Sequence, residues 1–522
     1  MSSIYSVKVS FAGASAIFLV FSCISSGAQM TSVGIDCSQI EVLGIDRQTN
    51  LRAARVMSEC GSNYDSAADT YDLGWAGTEP LEPLGIKNVL VSTAKCTTST
   101  NCERNTSVVW ASSEDGGKTL VDNYNDLSSN GSSSGTSYSK NGGAKFVEIQ
   151  PAPFGNGHGT NYGDPIEVFN ATLRMWFAGD LTSDCGGLGV GLWTSTDGIH
   201  WETGACAHNG ASDDRPSMWV DNEPTSGTYG RMYVSFNDFS NNAALTVVHS
   251  DDGKVWSAPV VLSGTTLIRD VQLTGSPVGA RRYEGSNSTV FVMGMDEGGG
   301  GLATRQNIIF KSLDGGTTWS STTTGPRFNP PGNQTCPQNS YYVVIPPIWR
   351  TQGWGQPAVG AKGVVHYAYA GAGTKGDIAD IFYVRSTDNG RTWSKAIKLN
   401  TDADNPYHTQ WIPSLTADKD GKVTVAWYDR RAAKSKCAKV GDPGCNYERV
   451  GRQSKNNGVS FGSEITISSI IIPQPTGISC FAGDYNYDTT LNGKVYDGWT
   501  DGRVTFQGEN VQNVEFAIPV GK

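Results

Sequence analysis

Several things are scarce or missing in this 522-residue chain, and each narrows what it can be. Charged residues make up only 17%, and nothing in that composition points to disorder. There is no CxxC pair among the eleven cysteines, which argues against a metal site built on them. No P-loop, no HExxH and no Ser-His-Asp motif occurs, so nucleotide and peptidase chemistry have no support. Positive charge is also in short supply. The net charge is −10, which argues against nucleic acid and anionic membranes as partners. Beyond an apolar run from about Phe11 to Phe21 no second long one follows, and that run is too short for a comfortable membrane span.

The run has a different meaning. Lys8 precedes it, and Ser26-Gly27-Ala28 closes it before Gln29, which is the layout of a secretory signal peptide. Residues 1–28 are read as removed, which takes −10 to −11 because Lys8 leaves with them, and the mature protein is expected outside the cell or in a periplasm. Cys23 leaves too, so ten of the eleven cysteines remain, an even number in an exported chain. Spacing proposes Cys96–Cys102, Cys437–Cys445 and Cys185–Cys206, leaving Cys37–Cys60 and Cys336–Cys480 by elimination.

What the chain has in plenty is glycine, 63 of them, many in a recurring pattern. Ser312-Leu-Asp314-Gly-Gly-Thr-Thr-Trp319 is matched by Ser386-Thr-Asp388-Asn-Gly390-Arg-Thr-Trp393, and by Ser113-Glu-Asp115-Gly-Gly117-Lys-Thr-Leu120 without the last aromatic. Shorter forms stand at Asp197 and Asp252, and a degenerate one runs from Ser454 to Phe461. Six copies at intervals of roughly 55 to 80 residues mark a repeat protein. Around them run short alternating stretches such as "WIPSLTADKDGKVTVAWY" at 411–428, which read as strand, turn, strand. Each unit is expected to hold four antiparallel strands, A to D, with the box in the C–D turn, and such units in series are propeller blades. The prediction is an all-β propeller of seven blades, with six as the alternative, over residues 70–522. The segment 29–69 is expected to carry a short helix at 49–60 and a strand near Gln39–Gly44 that closes the ring. Residues 127–143, rich in Ser, Gly and Asn, read as a flexible loop.

The boxes resemble the Asp-box, or BNR, repeats of sialidase-like β-propellers, a likeness running over about 70–520. The resemblance implies the propeller fold and a function among sialidases, other glycosidases, polysaccharide lyases and non-catalytic binding proteins. The box itself reads as a hairpin staple, its aspartate accepting turn amides and its tryptophan packing between strands. No cofactor is expected beyond a possible structural calcium. If the boxes are C–D turns, they and the A–B turns share one face, and a site belongs on the other, where B–C and D–A connections meet.

Reading those connections yields the candidates. Asp429, Tyr428, His408 and Asp214 are candidates for acid, base or nucleophile. Arg215, Arg430, Arg431, Arg503, His158, Asp164, Trp354, Gln410, Asp484 and Tyr485 are candidates for substrate binding, with Arg269 and Asp270 at the same level of the fold. Arginine forks suit a sugar carboxylate, aromatics suit pyranose faces, and carboxylates suit hydroxyls or proton transfer. The sialidase resemblance implies three arginines, a tyrosine nucleophile and an acid/base aspartate. Its Phe/Tyr-Arg-Ile-Pro segment is missing here, and Asp214-Arg215-Pro216 is the nearest likeness, with Tyr428 or Tyr485 in the nucleophile's place. A uronic acid lyase would use Arg215 with His408 or His158. The expected function is cleavage of glycosidic linkages in an acidic or complex glycan by a monomeric, secreted protein, with glycan or protein binding without chemistry as the alternative.

Overall fold

The computed structural model describes residues 30–60, 86–93, 104–126, 132–149, 153–155 and 157–519, apart from 280–285, 338, 375, 440 and 477–479. The expected signal peptide and the expected Cys96–Cys102 pair lie outside the described residues. The fold is a seven-bladed propeller of four-stranded antiparallel sheets. Blade one runs Arg104–Ala111, Leu120–Asp126, Ser134–Ser139 and Val147–Glu148. Blades two, three and four begin at Ile166, Asp213 and Ile268, and blades five and six at Gln356 and Gln410. Blade seven takes Thr489–Leu491, Lys494–Asp501 and Asn513–Ala517 from the C-terminal end and its outermost strand, Val89–Leu90, from the N-terminal side. Val89 pairs with Phe516 and Leu90 with Glu515. This two-residue ladder closes the ring. The strand expected near Gln39–Gly44 is instead a succession of turns between 3-10 helices at Cys37–Gln39 and Ile45–Arg47.

Inner strands are buried on both faces, as Val423–Asp429 shows over its whole length. The reason is that each blade is sandwiched between two others. Tyr233, Leu245 and Val247 of blade three pack on Val290 and Val292 of blade four, and full burial of such aliphatic side chains stabilises by about 1.5–3 kcal/mol each.

The box turns are built as their sequence dictates. Asp314 Oδ1 accepts from the amides of Thr317 (3.1 Å) and Thr318 (2.9 Å) and from Ser312 Oγ (2.8 Å), while Gly315 and Gly316 take φ of +74° and +90°, open to glycine without steric cost. The turns at Asp197, Asp252 and Asp388 repeat this arrangement between strands C and D. In the degenerate copy Asn456 takes the aspartate's place and accepts from Ser460 N at 2.9 Å. The Asp115 turn differs, because it joins strands A and B of blade one. The C–D turn of that blade is Lys140–Phe146, where Asn141 Oδ1 accepts from Ser139 Oγ (2.9 Å) and Lys145 N (3.0 Å). Residues 134–139, expected as loop, are therefore a strand. It is polar but buried, with Ser137 Oγ donating to the Val91 carbonyl at 2.8 Å.

Four disulfides join the described cysteines: Cys37–Cys60, Cys185–Cys206, Cys336–Cys480 and Cys437–Cys445. The first closes a separate N-terminal cap, residues 30–60, whose helix Leu51–Cys60 has Asn50 as N-cap, its Oδ1 accepting from Ala53 N at 2.8 Å. An inserted hairpin, Val343–Ile345 with Trp349–Thr351, lies between blades four and five in sequence.

Candidate functional site

The predicted residues separate into two groups and a remainder. One group meets at the inner strands, where Asp164, Asp214, Arg215, Asp270, Trp354, Asp484 and Tyr485 sit at or just before the first strands of blades two, three, four, five and seven. Local backbone aims several of them. Asp164, Arg215 and Asp270 have φ of +61°, +54° and +62°, and the ladder of strand A slips between Asp214 and Ser217 and between Arg269 and Gln272. These are β-bulges, which redirect a side chain at the cost of about 1 kcal/mol or more for a residue with a Cβ.

Arg215 is the hub. Its guanidinium lies 4.2 Å from the Trp354 ring centroid and 4.3 Å from that of Tyr485. It donates to Asp270 Oδ1 at 3.1 Å and approaches Asp484 Oδ2 to 3.7 Å. Trp354 is fixed in turn by Glu297, which accepts its indole N–H at 2.6 Å and the Tyr341 hydroxyl at 2.5 Å. Arg350 Nε donates to the same Asp484 oxygen at 3.1 Å, and Arg269 pairs with Asp214 at 2.7 Å. Three arginines thus converge with four aspartates, all buried.

Tyr485 donates to Asp164 Oδ2 at 2.9 Å. Burial, then the charge of Asp164, pushes the Tyr485 hydroxyl well above the usual phenol range. Burial, then the nearby Asp214 and Asp484, likewise pushes Asp164 well above the usual carboxylate range. Both groups hold their protons in this closed arrangement. Among the described residues Arg215 Nε and Nη1, Asp164 Oδ1 and Asp484 Oδ1 have no hydrogen-bond partner, whereas most buried polar atoms in proteins have one.

The second group lies at the ends of blades six and seven. Asp429 Oδ2 accepts from Trp427 Nε1 at 2.9 Å and Oδ1 from Arg431 N at 2.7 Å, and the Arg431 guanidinium clasps the same carboxylate. Asp501 repeats this with Trp499 Nε1 (2.9 Å), Arg503 N (2.8 Å) and the Arg503 guanidinium (2.7 Å). Trp-x-Asp-x-Arg at 427–431 and 499–503 is therefore a clamp used twice. Arg431 goes on to Glu464 at 2.5 Å, and Arg503 to Asn88 at 3.0 Å, beside the ring-closing strand. His408 and Gln410 accompany the blade-six clamp: His408 faces Asp402 at 3.3 Å, and Gln410 donates to Asp402 (3.2 Å) and Asp429 (3.3 Å).

The remaining candidates are scaffold by their surroundings. Tyr428 points away from Asp429 into Trp349, Trp411 and Tyr447, its hydroxyl donating to Asn486 Oδ1 (3.1 Å) and accepting from Thr500 N (2.9 Å). Arg430 lies 4.7 Å from the Trp411 ring and donates to the Cys445 carbonyl; burial lowers its pKa to about 9, and no carboxylate faces it in the contacts described. His158, expected to be presented to solvent, is buried against Trp193, its Nε2–H donating to the Leu192 carbonyl at 3.0 Å. Sequence reasoning passed over Arg350, because it lies on a hairpin outside the blade repeat.

Two groups of metal-ligand type occur among the described residues. His158 stands with Cys185 and Cys206, whose sulfurs are joined to each other. Asp377, Asp380 and Asp404 cluster at blade five, where the Lys398 ammonium reaches Asp380 (2.6 Å) and Asp404 (3.2 Å).

No family model matches the chain, and no curated protein matches it. Solved structures similar to it include sialidases and a polysaccharide lyase. An ulvan lyase of polysaccharide lyase family 25 is 11% identical over 81% of this chain and 95% of that one, with a TM-score of 0.44. A Hadza microbial sialidase is 15% identical over 69% and 66%, with a TM-score of 0.37. A leech intramolecular trans-sialidase is 14% identical over 88% and 72%, with a TM-score of 0.38. The roles of individual residues rest on the geometry of the chain itself.

Proposed function

We propose that the chain is a secreted, carbohydrate-active propeller that cleaves a glycosidic linkage next to an acidic sugar, at the centre formed by Arg215, Arg269, Arg350, Tyr485 and Asp164. The observation that carries this reading is the gathering of Arg215, Arg269 and Arg350 around Asp270, Asp214 and Asp484 beside the Tyr485–Asp164 pair, an assembly built once among the described residues and not repeated from blade to blade. Planar guanidinium groups match a carboxylate in two-point geometry. Trp354 offers an aromatic face to a pyranose ring. A tyrosine becomes a useful nucleophile when an adjacent base takes its proton, and Asp164 stands 2.9 Å from the Tyr485 hydroxyl. In this reading Tyr485 Oη bonds to the anomeric carbon as the glycosidic C–O bond breaks. Asp164 gives the proton it holds to the departing oxygen from Oδ1 while Oδ2 takes the phenolic proton. Water then releases the sugar from Tyr485 and restores the phenol, and the arginines hold the substrate carboxylate against the ring. The Asp-box resemblance and the four described disulfides support export and a sugar substrate.

The test is a panel of chromogenic glycosides of glucuronic, galacturonic and N-acetylneuraminic acid, run beside neutral glycosides and acidic polysaccharides. Turnover confined to acidic substrates, and lost in Tyr485→Phe, is the expected result. Binding of acidic glycans with no turnover of any substrate would replace the hydrolytic reading with recognition alone.

A further inference from the structure

The centre is covered by the chain's own N-terminal cap, and the way the cap is held is informative. Gln48, Thr49 and Asn50 are its point of entry, and all three are buried. The Thr49 carbonyl accepts from the Arg350 guanidinium, and Thr49 Oγ1 lies 3.4 Å from Arg269 Nη2. The Gln48 carbonyl accepts from Tyr342 Oη at 2.8 Å. On the opposite edge Asp214 accepts from the amides of Thr49 and Asn50 (3.0 Å each), from the Thr49 hydroxyl (3.1 Å) and from Asn50 Nδ2 (2.6 Å). One short segment therefore offers acceptors to two arginines and donors to an aspartate. That is also the pattern a sugar acid offers, with its carboxylate on one edge and hydroxyls on the other.

The rest of the cap is organised as a unit of its own. Ile35, Ile45, Ala53 and Val56 form a small core, and Cys37–Cys60 closes it. Its apolar attachment beneath the helix is slight, Leu51 and Ala54 against Phe481. A cavity of about 30 Å³ remains between the cap and the floor, lined by Gln48, Ala54, Arg350 and Phe481 among others, room for about one water molecule. The tripeptide is thus held mainly by polar groups that a ligand would also use, while the cap carries a core and a disulfide of its own.

We infer that Gln48–Asn50 is an intramolecular ligand of the arginine centre, and that an acidic monosaccharide binds by displacing it from Arg269, Arg350 and Asp214. The inference rests on the reading of the centre as an acidic-sugar site. Because the two occupants exclude each other, loosening the cap tightens sugar binding, and sugar binding loosens the cap to the same extent.

Both directions are measurable on the full chain. The probes are free glucuronate, galacturonate and N-acetylneuraminate, titrated calorimetrically into the native protein and into Thr49→Ala/Asn50→Ala, with hydrogen exchange followed at Leu51–Cys60. The expected result is at least tenfold tighter binding of one probe by the double variant, and faster exchange of the helix when that probe is added to the native protein. The second measurement needs no substitution, so it stands even if the variant folds poorly. Equal affinity in both proteins, with helix exchange unmoved by bound probe, overturns the inference and leaves the acidic-sugar reading in place. Failure of all three probes to bind either protein overturns both.

Discussion

Two sets of arginine–aspartate contacts compete for attention in this propeller. Asp429–Arg431 and Asp501–Arg503 are the more closely knit, each with a tryptophan N–H, a backbone amide and a guanidinium on one carboxylate. Arg215 is held less tidily, by one carboxylate at 3.1 Å, two aromatic faces and a second carboxylate at 3.7 Å. Yet the first arrangement occurs in two blades at equivalent positions, while among the described residues the second occurs once. In a repeat protein that difference is diagnostic. What every blade needs, such as a finished strand end, can recur in each; what the molecule does to a substrate is assembled once from several blades. Unpartnered polar atoms are also what a ligand can use, and among the described residues Arg215 Nε and Nη1, Asp164 Oδ1 and Asp484 Oδ1 have no hydrogen-bond partner, against Arg431 Nε alone in the two clamps.

The comparison breaks most decisively at its two hubs. Arg215→Ala is expected to lower kcat/KM for an acidic glycoside by about 10³-fold or more, since a desolvated charge-assisted hydrogen bond is lost and its carboxylate partners are left uncompensated. Arg503→Ala is expected to leave kcat/KM within about twofold while costing about 3 kcal/mol of stability, because Asp501 is buried and loses its cation. Steady-state kinetics on the same substrate decide the matter, and an inversion of the two effects would move the site to blade seven.

Within the centre, Tyr485→Phe isolates the hydroxyl. Loss of a nucleophile or proton-transfer group lowers kcat by about 10²–10⁴-fold, and here KM is expected to change little because the ring still covers Arg215. A fall in kcat equal to that of Asp164→Asn, with no further fall in the double variant, would show the two acting as one unit.

A third test concerns stability and pH, and it separates buried acids from clamped ones. Asp180 accepts from Ser134 Oγ at 2.6 Å and from Asn161 Nδ2 at 2.9 Å, with no cation beside it in the contacts described. Burial, against these two hydrogen bonds, raises its pKa to about 7. The folded state thus keeps a proton that the unfolded chain releases near the ordinary carboxylate value of about 4. Stability from this group is present at low pH and falls as pH rises from about 4 to about 7, by a few kcal/mol at most. Urea melts at several pH values are expected to show that decline, and Asp180→Asn is expected to flatten it. An unchanged slope would mean that the decline comes from other buried acids such as Asp164.

How much of this was legible beforehand follows from the same contrast. Repetition could be read directly: the boxes, the four-strand units and the seven blades all come from patterns that recur. Features that occur once left weaker marks. Val89–Leu90 is too short to show alternation, and Ser134–Ser139 has so little apolar character that its composition reads as loop, although its small side chains let it bury. Arg215, Asp164, Asp484 and Tyr485 could be found because they stand at corresponding places in the blade repeat. Arg350 could not, since it belongs to a hairpin outside that repeat. The two Trp-x-Asp-x-Arg segments were equally visible, and residue type alone placed Asp429 and Arg503 among the site candidates. The covering of the centre by Thr49 and Asn50 joins residues 165 positions apart in sequence, with no local pattern to announce it.

The smallest expected effects lie in the repeated elements, and they test whether repetition spreads stability evenly. Asp429→Asn and Asp501→Asn each weaken the clasp of an arginine and are expected to cost about 1–3 kcal/mol. Asp314→Ala, in an exposed box turn, removes acceptors for two backbone amides and two hydroxyls that water can replace, so about 1 kcal/mol is expected. If box turns are equivalent staples, Asp388→Ala has the same effect within a few tenths of a kcal/mol, and the two add in the double variant because they sit in different blades. A cost at Asp388 several times that at Asp314, measured by equilibrium denaturation, would show that one blade controls the ring's stability and that repetition in sequence does not imply equal shares of the load.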